Sequence, residues 1–399
     1  MGVRTAAGRL RGGGRGWVLL AIAAGWVFVI GGRFLVPAVL PQVTGAFEVG
    51  NTGGGVAVTV IWATYALMQS PAGALVDRVG ERRLLAGSLL LSAGSVGVLG
   101  VAPVYLAFLG GCAAFGFATG LYGPARGTAL ARTFPDDDGA AIGATLAAGS
   151  VGSAVLPFLA GALVGSAGWR LVVAGLAPPL LVAAAFAWHS VPERDGASTP
   201  DPVPLADLGG DVFRAVRRRG VAIAVAAVTL MLFAFQGLSA FYVTYLARTL
   251  DQRVAAGLFA LLFVGGAVAQ LGGGALADRY GERIVLTVVS AVGAVAVAAV
   301  PLVGGLLPLA ALSLVLGTRL AIAPVSNAYI IAVLPDAVTG TAWGTLRTAF
   351  FLLGATGSTV VGVMADRALF DEAFYLLAAV TAVAALLYAF LPSRATAGA

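Results

Sequence analysis

Four arginines interrupt otherwise apolar stretches of the chain: Arg33, Arg126, Arg319 and Arg347. A charge near the centre of a membrane-spanning helix costs about 2.5–3.5 kcal/mol on insertion scales, so each calls for water, a ligand or a polar partner. A guanidinium is a planar fork of donors that grips carboxylate, phosphate or nitrate in bidentate fashion. None of the 18 acidic residues falls deep in the same stretches; Asp77, Asp278 and Asp366 stand at their edges. A cationic, carboxylate-poor interior suits an anionic solute. Arg33 and Arg319, the latter near mid-depth, are the leading candidates to hold it. For Arg126, near the end of its stretch, snorkelling to the interface is the leading reading. Arg347 fits either role. Gln236, Tyr65, Asn327 and Tyr329 are weaker polar candidates. Gln69, on the face of Tyr65, and Gln270 read better as interhelical packing residues.

Other chemistries have little to build on. All 24 basic residues are arginine, which removes a lysine Schiff base and the phosphate-binding loop of an ATP-driven pump. Cys112 and His189 are each the single residue of their type, so no internal disulfide is possible, and a metal cluster or a Ser/His/Asp triad has little to build on. The expectation is a non-enzymatic protein with no cofactor, no metal and no nucleic-acid partner.

The elements that carry these arginines are membrane helices. The chain has 399 residues, 59% hydrophobic and 11% charged, against about 25% charged in a soluble domain. Apolar runs of about 20 residues recur, long enough to cross a hydrocarbon core of roughly 30 Å as helices. They fall at 17–40, 54–76, 84–102, 104–130, 140–165, 171–191, 221–246, 254–277, 284–304, 306–333, 341–365 and 373–391. The first follows Arg4, Arg9, Arg11 and Arg15 like a secretory signal, but is too long for one and lacks a clean cleavage site. It reads as span 1.

Arginine placement sets the orientation. With the N-terminus inside, the cytoplasmic segments carry the four N-terminal arginines, Arg78, Arg82, Arg83, Arg132, five arginines at 194–219, Arg279, Arg283 and Arg394; the external loops hold only Arg170, Arg248, Arg253 and Arg367. Both termini are then cytoplasmic. Residues 192–220 form the one evident linker. Within it Leu205, Leu208, Val212, Phe213 and Val216 have the spacing of a short amphipathic helix on the membrane surface, with a solvated connector as the alternative.

The chain also repeats. "GALVDRVGER", from Gly73 to Arg82, and "GALADRYGER", from Gly274 to Arg283, match at eight of ten positions. Gln69 and Gln270, Pro124 and Pro324, Pro135 and Pro335, Gly139 and Gly340, and Gly143 and Gly344 keep nearly the same offset. An even number of spans per half makes these parallel repeats, which place a central cleft on an axis along the membrane normal. The division is 1–191, a central loop 192–220, and 221–399.

"GALVDRVGERR" resembles the loop signature of the major facilitator superfamily of secondary transporters, and its second copy in the equivalent loop is a trait of that family. The resemblance covers nearly the whole chain. It implies an all-α integral membrane fold of twelve transmembrane helices in two six-helix bundles. It implies that spans 1, 4, 7 and 10 line the cleft, which puts Arg33 and Arg319 on lining helices and leaves Arg347, on span 11, off them. It implies a conformational latch at Gly73, Asp77, Arg78, Gly80, Arg82 and Arg83, with a weaker copy at Gly274, Asp278, Arg279, Gly281 and Arg283. Gly73 and Gly274 would permit close helix contact; Gly80 and Gly281 would suit a turn. Glu81 departs from the pattern by adding a negative charge and leaves the partner of Arg82 open.

The functional expectation is a secondary transporter of a small solute in the cytoplasmic membrane, working as a monomer in the lipid bilayer by symport, exchange or uniport. The alternative within transport is a multidrug or sugar efflux pump that uses Trp26, Phe28, Trp62, Tyr65 and Phe235 as an apolar pocket. A receptor or intramembrane enzyme is the competing class; the first usually carries a sizeable soluble domain and the second needs paired acids or a metal at membrane depth.

Overall fold

The structure is a computed structural model that describes residues 14–193, 218–334 and 339–392. The segment 205–216 expected to be amphipathic, and the repeat landmark Pro335, lie outside the described residues. Among the described residues all regular structure is helical. The helices are α1 (Arg15–Ala38), a short α2 (Leu40–Ala46), α3 (Asn51–Val79), α4 (Glu81–Val101), α5 (Tyr105–Thr133), α6 (Asp138–Ala167), α7 (Trp169–Ala174), α8 (Ala177–Ser190), α9 (Arg219–Leu246), α10 (Gln252–Tyr280), α11 (Glu282–Ala299), α12 (Leu306–Gly317), α13 (Ile322–Val333), α14 (Thr339–Asp366) and α15 (Phe370–Ala389).

Eleven segments among the described residues are long and apolar enough to cross a membrane. The twelfth expected span is α3, an unbroken helix of 29 residues. Its length suffices, but Asn51, Gln69 and three consecutive glycines make it less apolar than the rest. Two expected spans are interrupted. Span 6 breaks into α7 and α8 at Gly175 and Leu176, just before Pro178 and Pro179, which have no N–H to give to the preceding turn. Span 10 breaks at a 3₁₀ turn, Thr318–Ala321, between α12 and α13. Pro324 is the cause: its ring excludes the ordinary bond to the carbonyl of Leu320. That carbonyl instead accepts from Gln270 Nε2 at 3.3 Å, which gives Gln270 its role as interhelical glue.

The chain forms two compact units, Met1–Phe47 with Val60–Asp201, and Glu48–Thr59 with Pro202–Ala399. In the first, α1 packs on α6, and α4 packs on α5 and α8; in the second, α9 packs on α14, and α11 on α15. The close crossings repeat between units. A Cβ on Gly116 of α5 would run into the Ile61 carbonyl of α3, and one on Gly317 of α12 into the Leu262 carbonyl of α10. Likewise Gly152 of α6 lies on the Val27 carbonyl, and Gly357 of α14 on that of Phe233. In lipid, where apolar contact supplies little drive, such backbone-to-backbone approach is the main source of packing energy. The sequence repeat is therefore a repeat of helix crossings. Arg218 adds a polar tie in the second unit, donating from Nη1 to the Val333 carbonyl at the C-terminus of α13 at 3.1 Å, where a cation is favoured.

Candidate functional site

In the first unit the helical spacing of a few residues builds a collar of rings and cations. Trp26 and Arg33 are two turns apart on α1, Trp62 and Tyr65 one turn apart on α3, and Tyr122 and Arg126 one turn apart on α5, so each pair shares a helix face. Arg33 is fully buried, at 0% exposure. Its guanidinium carbon lies 4.0 Å from the Tyr65 ring centre, 4.8 Å from that of Trp62 and 5.7 Å from that of Trp26. Its Nε points at the Val29 carbonyl, at 3.5 Å. Aromatic faces attract a cation, by about 2 kcal/mol or more when water is excluded. Three rings thus offset part of the burial cost of this charge.

Arg126 joins the same group. Its guanidinium carbon is 4.4 Å from the Trp26 ring centre, so the side chain lies against protein instead of snorkelling outward. Trp26 is fixed between its neighbours. It stacks on Tyr122 at 6.1 Å with an interplanar angle of 17°, and the Tyr122 hydroxyl donates to the Ile22 carbonyl at 2.8 Å. Gly149 of α6 leaves room for the indole, and Gly25 leaves room for the Tyr122 hydroxyl; a Cβ at either would collide. Phe34 closes the far side of Trp62 at 5.6 Å. Tyr122, Phe34, Gly25 and Gly149 are absent from the sequence-derived site. The signal that finds them is the pairing of an aromatic with an arginine at helical spacing on both α1 and α5.

The other candidates stand elsewhere. Arg319 is buried in the second unit, in the 3₁₀ break between α12 and α13. Its stem runs over Gly293 of α11, and Nη2 donates to Thr381 Oγ1 of α15 at 3.4 Å. It is thus turned to α11 and α15. Gln236 is buried on α9, with no donor to its Oε1 among the described residues. Asn327 is half-buried on α13, and Arg347, on α14, has its guanidinium carbon 5.8 Å from the Phe351 ring centre.

The two signature turns are nearly identical in backbone. Gly80 has φ 85 and ψ 153 before α4, and Gly281 has φ 86 and ψ 146 before α11, a region open in practice to glycine alone. Gly73 and Gly274 differ from expectation: a Cβ at either would meet open space, so neither makes a close helix contact in this structure. Arg82 also differs, for it has a partner. Glu193, just beyond α8, takes Arg83 Nη2 at 2.6 Å and Arg82 Nη1 at 3.4 Å, and Arg82 lies over Trp188 at 4.4 Å. Glu81 is no loose extra charge either; it is buried and accepts from Arg132 Nη1 at 2.6 Å. These bonds tie the turn to α5 and to the end of α8. Asp77 is half-buried, while Arg78, Asp278, Arg279 and Arg283 are exposed, with Arg279 5.2 Å from the Tyr280 ring centre. No group of His, Cys, Asp and Glu that could hold a metal occurs among the described residues.

Comparison with known proteins agrees with this architecture. A "Transcription regulatory protein OpdE" of Pseudomonas aeruginosa is 28% identical over 384 residues, covering 92% of this chain and 92% of its own length. Among solved structures, a bacterial homologue of the human lysosomal transporter Spinster, in an inward-facing and unoccupied conformation, superposes with a TM-score of 0.79 at 16% identity, over 95% of this chain and 97% of that one. A mutant of the nucleoside transporter NupG gives a TM-score of 0.79 at 15% identity, over 93% and 98%. At such identities these two speak for the fold alone. The sequence model of the Major Facilitator Superfamily matches residues 21–322 and 251–399. The chain is a multi-pass membrane protein and belongs to the major facilitator superfamily.

Proposed function

We propose that this chain is a secondary transporter that moves a small anionic solute across the cytoplasmic membrane by alternating access, with both termini in the cytoplasm. The observation that carries the anion is the convergence of Arg33 and Arg126 on one indole, Trp26, inside a collar of Trp62, Tyr65 and Tyr122. Two guanidinium groups held against one ring in a medium of low dielectric repel each other, and an anion between or beside them relieves that repulsion. The fork geometry favours a carboxylate or an oxyanion. Arg33 and Arg126 are the anchoring residues in this reading, and Tyr65 supplies a ring and a hydroxyl. The turns around Asp77 and Asp278 act as the cytoplasmic latch. The partners are the solute and the bilayer, and a single chain suffices.

The test is a thermal-shift screen of the purified protein against organic carboxylates, phosphate and nitrate, with Arg33→Gln in parallel. A ligand at about 100 times its Kd stabilises the native state by about 2.7 kcal/mol. An anion that raises Tm for the parent and not for Arg33→Gln supports the reading. Stabilisation by neutral or cationic amphiphiles that persists in Arg33→Gln would favour an apolar efflux pocket instead.

The regulatory name of the Pseudomonas relative favours a second reading, in which the chain binds a solute and reports its presence. Binding without any flux in proteoliposomes distinguishes it.

A further inference from the structure

Arg319 stands in the 3₁₀ break of span 10, wholly within the second unit, and its sequence neighbours fix where it points. Gly317, Leu320 and Ala321 are committed to α10: a Cβ on Gly317 would meet the Leu262 carbonyl, one on Gly266 the Leu320 side chain, and one on Gly273 that of Ala321. Arg319, among them in sequence, is turned the other way, to α11 and α15. Gly293 of α11 admits its stem; a Cβ there would come within 3.0 Å of Cγ and 3.3 Å of Cδ. The guanidinium is thereby carried into the interior of the unit, at 4% exposure.

Its hydrogen bonds do not match its charge. Nη2 donates to Thr381 Oγ1 at 3.4 Å, a long contact, and Nε and Nη1 are buried with no acceptor among the described residues. Thr381 gives its own proton to the Leu377 carbonyl at 2.7 Å. On α11, Ser290 lies one turn before Gly293 on the same face; it is fully buried, and its hydroxyl also has no partner among the described residues. Elsewhere along α13 and α15 the buried polar groups meet. The Ser326 and Tyr388 hydroxyls are 2.7 Å apart, and the Tyr329 hydroxyl donates to the Pro392 carbonyl at 2.8 Å. The described acidic residues of this unit all stand at helix ends or in the turns between them. Arginine keeps its proton in proteins. A buried charge without a counter-charge is costly, and water can satisfy the N–H donors but supplies no counter-charge.

We infer that Arg319 anchors a second anion site, one that holds a small monovalent anion of the chloride class where α11, the break between α12 and α13, and α15 meet. Nη2 belongs to both donor edges of the guanidinium fork. An anion against either edge therefore takes Nη2 together with one of the two idle nitrogens, and the Ser290 hydroxyl adds a donor from α11. Bonds of this charge-assisted kind are the strong ones. The anion neutralises the buried cation and ties α11 to the break, which α10 already holds from its other side. Its effect is on the stability of the second unit. It is independent of the solute proposed to bind at Arg33.

The experiment is a chloride titration of thermal stability. Purified protein is exchanged into sodium gluconate, and chloride replaces gluconate stepwise at constant ionic strength while unfolding is followed. Parent, Arg33→Gln, Arg319→Met and Ser290→Ala are compared. Chloride should raise Tm saturably by about 3–5 °C in the parent and equally in Arg33→Gln. Arg319→Met should be at least as stable as the parent in gluconate and show no saturable rise. Ser290→Ala keeps the cation and loses one donor, so its half-saturating chloride concentration should increase about tenfold; it also serves should Arg319→Met fail to fold. A parent Tm indifferent to chloride would leave the fork to water and overturn the site. An equal rise in Arg319→Met would mark a general salt effect, and loss of the rise in Arg33→Gln would move the chloride to the collar; either overturns it, as does an unchanged midpoint in Ser290→Ala. A failure of the transport reading appears separately, as absence of solute flux in the parent protein.

Discussion

Arg132→Ala should destabilise the protein by about 2–4 kcal/mol, far more than loss of the neighbouring ion pair. Glu81 opens α4 with its side chain 1% exposed, and Arg132 meets it at 2.6 Å. Removing one member of a buried pair strands the other charge and costs about 3–5 kcal/mol. Two features of the site reduce this. The Arg132 side chain is 38% exposed, so its deletion admits water. Glu81 also lies in the first turn of α4, where the helix dipole favours an anion by about 0.3–1 kcal/mol. Glu193 is different: it is 47% exposed, and its partners Arg82 and Arg83 are 22% and 58% exposed. Pairs of that kind are worth about 0–1 kcal/mol, so Glu193→Gln should cost less than about 1 kcal/mol. Chemical unfolding in detergent of Arg132→Ala, Glu81→Gln and the double variant measures both the loss and the coupling. The double variant should recover most of the loss, because no buried charge is left stranded. A loss below about 1 kcal/mol for Arg132→Ala, or a double variant as unstable as the two single losses added, would refute the burial argument.

Three further predictions concern the collar, the second unit and the turns. Gly149→Ala pushes a methyl group into the Trp26 indole, at a cost of about 1–3 kcal/mol; it should change tryptophan fluorescence and weaken the anion-induced thermal shift. Arg319→Met replaces a buried cation with an apolar chain of similar length, which is often neutral or stabilising; Tm should hold or rise, and the anion-induced shift should persist, unlike in Arg33→Gln. Gly80→Ala and Gly281→Ala each place a side chain at φ near 85, and each should lower unfolding stability by about 1–3 kcal/mol.

Most of the architecture was legible in the sequence, for physical reasons. Apolar run length fixes where helices cross a membrane, and a 201-residue offset between charged turns in an oily chain has few explanations other than duplication. The breaks near Pro178 and Pro324 were visible in principle as prolines, but the compensating bond from Gln270 to Leu320 was not, since it joins helices 50 residues apart. The candidate site was legible only in its charges. Arg33 stands out by its charge, whereas its ring partners are common lipid-facing residue types until three helices place them together. Glu81 looked like a surplus charge because its partner Arg132 is 51 residues away. Asp366 was visible only as an edge residue; its bond to Asn51 spans 315 residues, beyond the reach of any local pattern.

Alternating access itself is tested most directly by counterflow. Proteoliposomes are preloaded with the anion found by thermal shift, and uptake of the labelled anion is followed from outside. The account predicts saturable uptake that internal unlabelled anion accelerates and that Arg33→Gln abolishes. Uptake that rises linearly with concentration and ignores internal anion would indicate a pore, and would contradict it.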